Sequence, residues 1–234
     1  MTKTLTINDE IFDRYPYTCI GVIVATGIDN SKNQDPEMGL IKTAEELVVE
    51  KFRDIEICDE PTLKAWRRVY KDMDAKKYKC SAESLVKRTL TGANLNSINS
   101  LVNLYNYISL KYTLPVGGES LDVVEGDIIL CEATGDERFI PLFGTENEPP
   151  KPCEIIYRDD NDVMCRRWNW REAEKTKLTD ETTSAVLEIE GIIAEDVPRI
   201  EVATAEMAEL IMKFCGGEVK TYILDKDNKS VEIA

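Results

Sequence analysis

Residues 18–28, TCIGVIVATGI, are apolar almost without interruption and end on Gly27, which predicts a buried strand. The polar stretch DNSKNQDPEMG that follows reads as a loop. Leu40, Ile41, Ala44, Leu47, Val48 and Phe52 then recur at helical spacing and predict an amphipathic helix over 39–54. Pro61 is suited to the first position of a second helix, which carries Leu63, Trp66, Val69 and Tyr70. Ser81 is the expected N-cap of a third, SAESLVKRTL, closed by Gly92. A fourth spans 97–112, with Ile98, Leu101, Val102, Tyr105, Ile108 and Tyr112 on its apolar stripe. Strands are expected at 127–133, 138–143, 154–159, 163–170 and 185–192, with the Pro-rich TENEPPKP as a surface loop between the second and third. Thr204 should cap a last helix bearing Met207, Leu210, Ile211 and Phe214, ended by Gly216-Gly217, before a hairpin over 218–234 that turns at DKDNK. Helices come early and a mixed or antiparallel sheet later, so the fold class is α+β, expected as a single domain over 1–234.

Composition narrows the chemistry more than it narrows the fold. The 234 residues contain no histidine, which removes the usual base of serine and cysteine nucleophiles. Phosphate-loop, nucleophile-elbow and dinucleotide motifs are absent. Seven scattered cysteines without a Cys-x-x-Cys pair read as reduced thiols of a cytoplasmic protein, and neither a metal nor a cofactor is expected. No apolar run approaches the ~20 residues of a membrane span, and the start has no secretory pattern. The net charge of −15 argues against a DNA binder. The charge is uneven, however: residues 61–90 hold nine Lys or Arg against three acids, and 166–177 add five more cations. These are either solvated helix faces or a basic patch on an acidic body.

Three constellations stand out. Asn99, Asn103 and Asn106 fall on one stripe of the fourth helix, either as a polar pocket wall or as caps for neighbouring loops. Leu114-Pro115-Val116-Gly117-Gly118-Glu119 follows, where the glycines permit a tight turn or close approach of backbone to a ligand. In Cys165-Arg166-Arg167-Trp168-Asn169-Trp170-Arg171, strand periodicity would put Arg167, Asn169 and Arg171 on one face and the tryptophans on the other. The tryptophans are then either core or a platform for an unpaired base.

The order SAESLVKRTLTGANLNSINSLVNLYNYISLKYTLPVGG, VEGDIILCEA, LTDETTSAVLEIEG resembles the editing domain of the phenylalanyl-tRNA synthetase beta subunit. Leu85, Arg88 and Leu90 match its first segment; Ile98, Asn99, Val102, Asn106 and Tyr107 its second; Pro115 its third; and Gly126-Asp127-Ile128 its fourth. The likeness spans 78–191, leaving 1–77 as an N-terminal strand and helices and 192–234 as a C-terminal helix and hairpin. Where that family has Asp, Thr and a pocket His, this chain has Asn103, Tyr105 and Gly117, and RRWNWRE replaces a Gly-Gly turn, as in free-standing versions of the domain. The resemblance implies a protein that binds tRNA or aminoacyl-tRNA and hydrolyses mischarged ester in trans, without charging tRNA itself. Asn99, Asn103, Asn106, Gly117, Gly118, Glu119 and Asn169 would bind substrate. Glu174, eight residues before Thr182, would read the hydroxyl of a wrongly attached tyrosine, or else pair with Lys175, Lys177 or Arg171. Arg166, Arg167, Trp168 and Arg171 would hold RNA phosphate or base. The alternative is a non-catalytic module binding RNA, an amino acid or a protein on the same fold.

Overall fold

Residues 2–31, 35–93 and 95–234 are described in a computed structural model. The elements run β1 (Thr4–Ile7), α1 (Asp9–Arg14), β2 (Cys19–Thr26), α2 (Asp35–Lys51), α3 (Pro61–Asp72), α4 (Ser81–Leu90), α5 (Ser100–Tyr112), β3 (Val116–Ser120), β4 (Ile128–Glu132), β5 (Ile155–Arg158), β6 (Val163–Arg166), β7 (Arg171–Glu172), β8 (Ser184–Gly191), α6 (Val197–Phe214), β9 (Glu218–Leu224) and β10 (Ser230–Glu232). They form two sheets, one ordered β10-β1-β4-β5-β6-β7 and the other β3-β8-β2-β9. The second is antiparallel throughout. The first is mixed, because β1 pairs parallel with β4. The architecture is α+β, as expected.

The second sheet has two unlike faces. Leu187 and Ile189 of β8, with Gly21 of β2, look toward α6. A Cβ on Gly21 would lie 1.9 Å from Thr204 Oγ1, and one on Gly191 would lie 2.6 Å from Asp196 Cβ, so the missing side chains are what let the helix seat. One apolar cluster runs from Leu5 to Ile233 and includes Trp66, Leu101, Trp168, Leu187 and Ile211.

Several sequence expectations need correction. β1 and α1 are too short to carry a readable period. The helix placed over 39–54 begins at Asp35, inside the stretch read as a loop, and residues 32–34 of that stretch lie outside the described residues. Cys80, not Ser81, caps α4, its Sγ accepting from Glu83 N at 3.4 Å. α6 starts at Val197 with Pro198 in its first turn, so Thr204 is a buried mid-helix residue. Residues 138–143 make only isolated bridges, at Arg138 and Pro141, since Pro141 has no N–H for a ladder. The strand expected over 163–170 breaks after Arg166, because Arg167 and Trp168 adopt φ of 50° and 67°. The C-terminal chain does turn at Asp225–Asn228, but β9 joins β2 and β10 joins β1, so its two strands serve different sheets.

Candidate functional site

The site lies between the sheets. In the β3–β8 register Gly117 faces Glu188 and Glu119 faces Val186, and residues opposite one another share a face. Glu119, Glu188 and Glu190 therefore project from the side of the sheet opposite α6. In the other sheet Tyr157 pairs with Cys165 and Cys165 with Glu172, a row that meets them across the gap. The inner chamber is lined by these residues with Ser81, Val116, Gly117, Trp168 and Asn169, and leaves about 20 Å³ for water centres, room for one or two waters. Ser81, Val116, Asn169 and Glu172 also line an outer bowl of about 240 Å³, completed by Ser84, Leu85 and Arg88 of α4, Tyr105, Asn106 and Ser109 of α5, and Trp170. The two spaces adjoin through those shared walls.

Four carboxyls in so small a volume cannot all ionise freely. Glu190 is the best satisfied: it accepts from Tyr157 Oη at 2.6 Å, Trp168 Nε1 at 2.9 Å and Asn169 Nδ2 at 2.6 Å. Burial nonetheless pushes it up to about 7, against the pull of those three donors. Glu172 is also raised to about 7, chiefly by burial. Burial, with repulsion from Glu172 and Glu188, lifts Glu119 well above the ordinary carboxylate range. Glu188 rises likewise, through burial and then its neighbours Glu190 and Glu172. Glu119 and Glu172 lie close enough for a proton on the first to be shared with the second. In a chain without histidine, Glu172 and Glu190 are groups able to exchange protons near neutrality.

Of the residues singled out in the sequence, Gly117, Glu119, Trp168 and Asn169 line the inner chamber, and Asn106 and Asn169 the outer bowl. A Cβ on Gly117 would press on Glu172 Oε1, at 3.3 Å, and meet nothing else within 4 Å. Gly118 points the other way, against Leu187, and both glycines sit in a strand rather than a turn. The Asn stripe dissolves. Asn99 is the N-cap of α5, accepting from Val102 N at 3.1 Å and donating to Leu178 O at 3.0 Å. Asn103 is fully buried, accepting from Ile98 N at 3.1 Å and donating to Ser97 Oγ at 2.9 Å, while Ile98 itself is exposed. Glu174 lines neither chamber; it accepts from Phe143 N at 2.8 Å and pairs with Lys177, which holds it below its usual value.

The arginines also need reassignment. Arg166 is buried and grips Glu154 with both nitrogens, at 2.7 and 3.0 Å, while donating to Glu148 O at 2.8 Å. Arg167, also buried, stacks over Tyr78 at 4.0 Å and Trp170 at 4.4 Å, and lies 3.5 Å from Glu154. That clamp supports the left-handed turn at Arg167 and Trp168, which strand periodicity could not foresee. Trp168 is fully enclosed and cannot stack on a base. Arg171 is half-buried on β7, 5.8 Å from the Trp170 ring, and lines neither chamber. Replacing Arg166 by Ala should therefore cost about 3 kcal/mol of stability, because the buried Glu154 loses its two-pronged partner and keeps only Arg167, at 3.5 Å. Urea unfolding reads that loss, and the salt slope of any RNA binding should stay unchanged.

Sequence reading noted Glu172 beside the Arg–Trp segment without giving it a role, and overlooked Glu188 and Glu190. The signal was present in AVLEIEGI, a strand otherwise apolar with two acids at the strand period, facing Gly117 and Glu119 at the same period.

The fold is thus an α+β domain in which a carboxyl-lined chamber adjoins a polar bowl. The sequence pattern of the B3/4 domain matches residues 65–216, and the chain belongs to that family. It is 23% identical over 164 residues to the phenylalanine–tRNA ligase beta subunit of Fusobacterium nucleatum, covering 60% of this chain and 20% of that protein. The corresponding subunit of Aquifex aeolicus is 28% identical over 160 residues, covering 58% of this chain and 20% of the relative. The chain thus spans about a fifth of these relatives' length. An N-terminal fragment of the phenylalanyl-tRNA synthetase beta subunit from Pyrococcus horikoshii aligns over 98% of this chain and 54% of its own, with 12% identity and a TM-score of 0.49. Among the described residues, no helix is long and apolar enough to cross a membrane.

Proposed function

We propose that this chain binds the aminoacylated end of tRNA in the outer bowl and hydrolyses the ester in trans. Membership of the B3/4 family and likeness to tRNA ligase beta subunits supply the RNA class. One observation carries the chemistry: Glu172 lines both chambers, has a buried Oε2 without a hydrogen-bond partner, and titrates at about 7. A carboxyl so tuned is suited to general-base work. Glu172 takes a proton from a water held at the shared wall as the water oxygen bonds to the ester carbon; the bond from that carbon to the ribose oxygen then breaks and Glu172 returns the proton to the ribose oxygen, giving free amino acid and uncharged RNA. An ester is labile enough that positioning such a water supplies much of the acceleration. Exposed Lys64, Arg68, Lys71, Lys76, Lys77 and Lys87 lie on the stretch that contains α4, a wall of the bowl, and offer contacts for the phosphates.

The test is loss of radiolabelled amino acid from a panel of charged and mischarged tRNAs incubated with the full chain. At least one ester should be cleared faster than in buffer, and Glu172→Gln should slow that clearance by about 10²–10⁴-fold while leaving tRNA binding in place. Acceleration of none, or full activity in Glu172→Gln, contradicts the reading and favours a non-catalytic module.

A further inference from the structure

We propose that Phe143 and Arg171 form a second nucleotide seat beside the outer bowl, where the unpaired base next to the terminal adenosine of the RNA stacks on the Phe143 ring and its phosphate pairs with Arg171. This deepens the function proposed above and rests on the bowl as the seat of the aminoacylated end. Single apolar side chains on a surface are ordinary, but Phe143 is not held like one. Its side chain is 89% exposed, the most of any large apolar residue among the described residues. Its φ is 62°, a left-handed value that a bulky residue keeps only when its surroundings impose it. They do impose it. Leu142 N donates to Glu172 O at 2.9 Å, Phe143 N to Glu174 Oε2 at 2.8 Å, and Gly144 N to Pro141 O at 2.7 Å. Glu174 is fixed in its turn by Lys177. A Cβ on Gly144 would lie 2.8 Å from Pro141 Cγ, so the turn needs glycine to close. Exposing the ring and bending the backbone both cost stability, and among the described residues no ring contact to Phe143 offsets either.

The chemistry of the partner follows from what stands beside the ring. Pro141 bridges Ala173 antiparallel and the Leu142–Glu172 bond continues that pairing, so Phe143 comes abreast of Arg171. Arg171 is half-buried, 5.8 Å from the Trp170 ring, and has no ion-pair partner among the described residues. Trp170 also lines the bowl, so bowl, indole, guanidinium and exposed ring follow one another. Glu174, the acid at the turn, is engaged by Phe143 N and Lys177 and leaves Arg171 its charge. A purely apolar partner would cover the ring but leave that guanidinium without a counter-charge. A nucleotide satisfies both, since its base has a π-face and its phosphate suits the planar, weakly hydrated guanidinium. Stacking needs no basic field, which fits a seat on a chain of net charge −15. A base inside a duplex has both faces covered, so the seat selects an unpaired nucleotide. With the terminal adenosine in the bowl, that nucleotide is the one preceding it.

Anisotropy titration of the full chain with two labelled hairpin RNAs tests the seat. One carries an unpaired 3′ tail ending in adenosine; the other has the same tail with an abasic residue before that adenosine. The intact tail should bind more tightly, and Phe143→Ala should weaken its binding by about 5–100-fold while leaving the abasic RNA unaffected. Phe143→Tyr should keep the parent's affinity, whereas Phe143→Leu, apolar but without a ring face, should bind like the alanine variant. Arg171→Ala should flatten the slope of log affinity against log salt by about 0.7, and Arg171→Lys should restore it. Stability should not follow affinity. Phe143→Asn, which tolerates left-handed backbone, should melt no lower than the parent yet bind as weakly as Phe143→Ala. Thermal melts verify that the other variants fold. Equal binding of the two RNAs, undiminished binding in Phe143→Ala, or retention in Phe143→Leu, which marks an apolar contact rather than a stack, would overturn this inference alone. A parent chain that binds neither RNA would overturn the RNA reading of the bowl, and this seat with it.

Discussion

Replacing Trp168 by alanine is expected to lower the unfolding free energy by about 3–5 kcal/mol, a large share of what a domain of this kind possesses. Its ring is fully buried, edge-on to Trp66 with centroids 5.0 Å apart and to Tyr15 at 5.5 Å. Truncation leaves a cavity where the two aromatics lose their partner, and takes from Glu190 one of its three hydrogen-bond donors. Trp168→Phe separates the two contributions: it keeps most of the packing but not the indole N–H, and should cost about 1–3 kcal/mol. The order in urea midpoint is then parent, Trp168→Phe, Trp168→Ala. A Trp168→Ala midpoint indistinguishable from the parent would mean that the turn at Arg167 and Trp168 is not the support of the inner chamber.

The second large effect is an inverted dependence of stability on pH. Glu172 and Glu190 titrate at about 7 in the folded chain, against an ordinary value of 4.5, and Glu119 and Glu188 lie well above it. Between about pH 4.5 and 7 the folded state therefore holds protons that the unfolded chain releases, so stability falls as pH rises through that window. The upper limit is roughly 3 kcal/mol each for Glu172 and Glu190. Allowing for relaxation of the site, Tm should drop by roughly 5–10 °C between pH 5 and pH 8. Below that window the sign reverses. Against the cost of burial, Lys175 and backbone donors hold Asp159 below its ordinary value, and its contribution is lost on acidification. A stability maximum near pH 5 results. Glu188→Gln removes one carboxyl from the cluster and should both raise Tm at pH 8 and flatten the slope. A Tm constant or rising from pH 5 to pH 8 would contradict this assignment of protons.

What the sequence revealed and what it hid divide along physical lines. β2 was readable because a strand buried on both faces tends to be apolar throughout, β8 because Ala185, Val186, Leu187 and Ile189 form an apolar run around its two acids, and α3 because Pro61 opens it at a position where no N–H is needed. β1 was missed because four residues are too few to show a period. Cys80 was passed over as the cap of α4 because a hydroxyl next to it is the usual choice. Nothing local indicates that β9 and β10 part to different sheets, since pairing is decided by distant strands. In the site, the side chains already in use misled. Adjacent arginines suggest phosphate until Glu154, twelve residues earlier, is seen to occupy Arg166. Asn99 and Asn103 suggest a pocket wall until the backbone amides they cap are counted. Gly117, Glu119 and Asn169, singled out by their sequence context, do line the chamber, but nothing local marks their neighbours Glu188 and Glu190, because the sheet that buries them is built from the other half of the fold.

The central claim is that the paired chambers between the sheets receive the aminoacyl end of an RNA. Its most direct test is a crystal structure of the full chain with a non-hydrolysable 3′-aminoacylamino-adenosine. The adenosine should occupy the bowl between α4, α5 and Trp170, with the amino acid directed past Glu172 into the inner chamber. An adenosine bound on another surface, or a ligand whose amino acid points to solvent while the chamber between Glu119 and Glu188 holds only water, would contradict it.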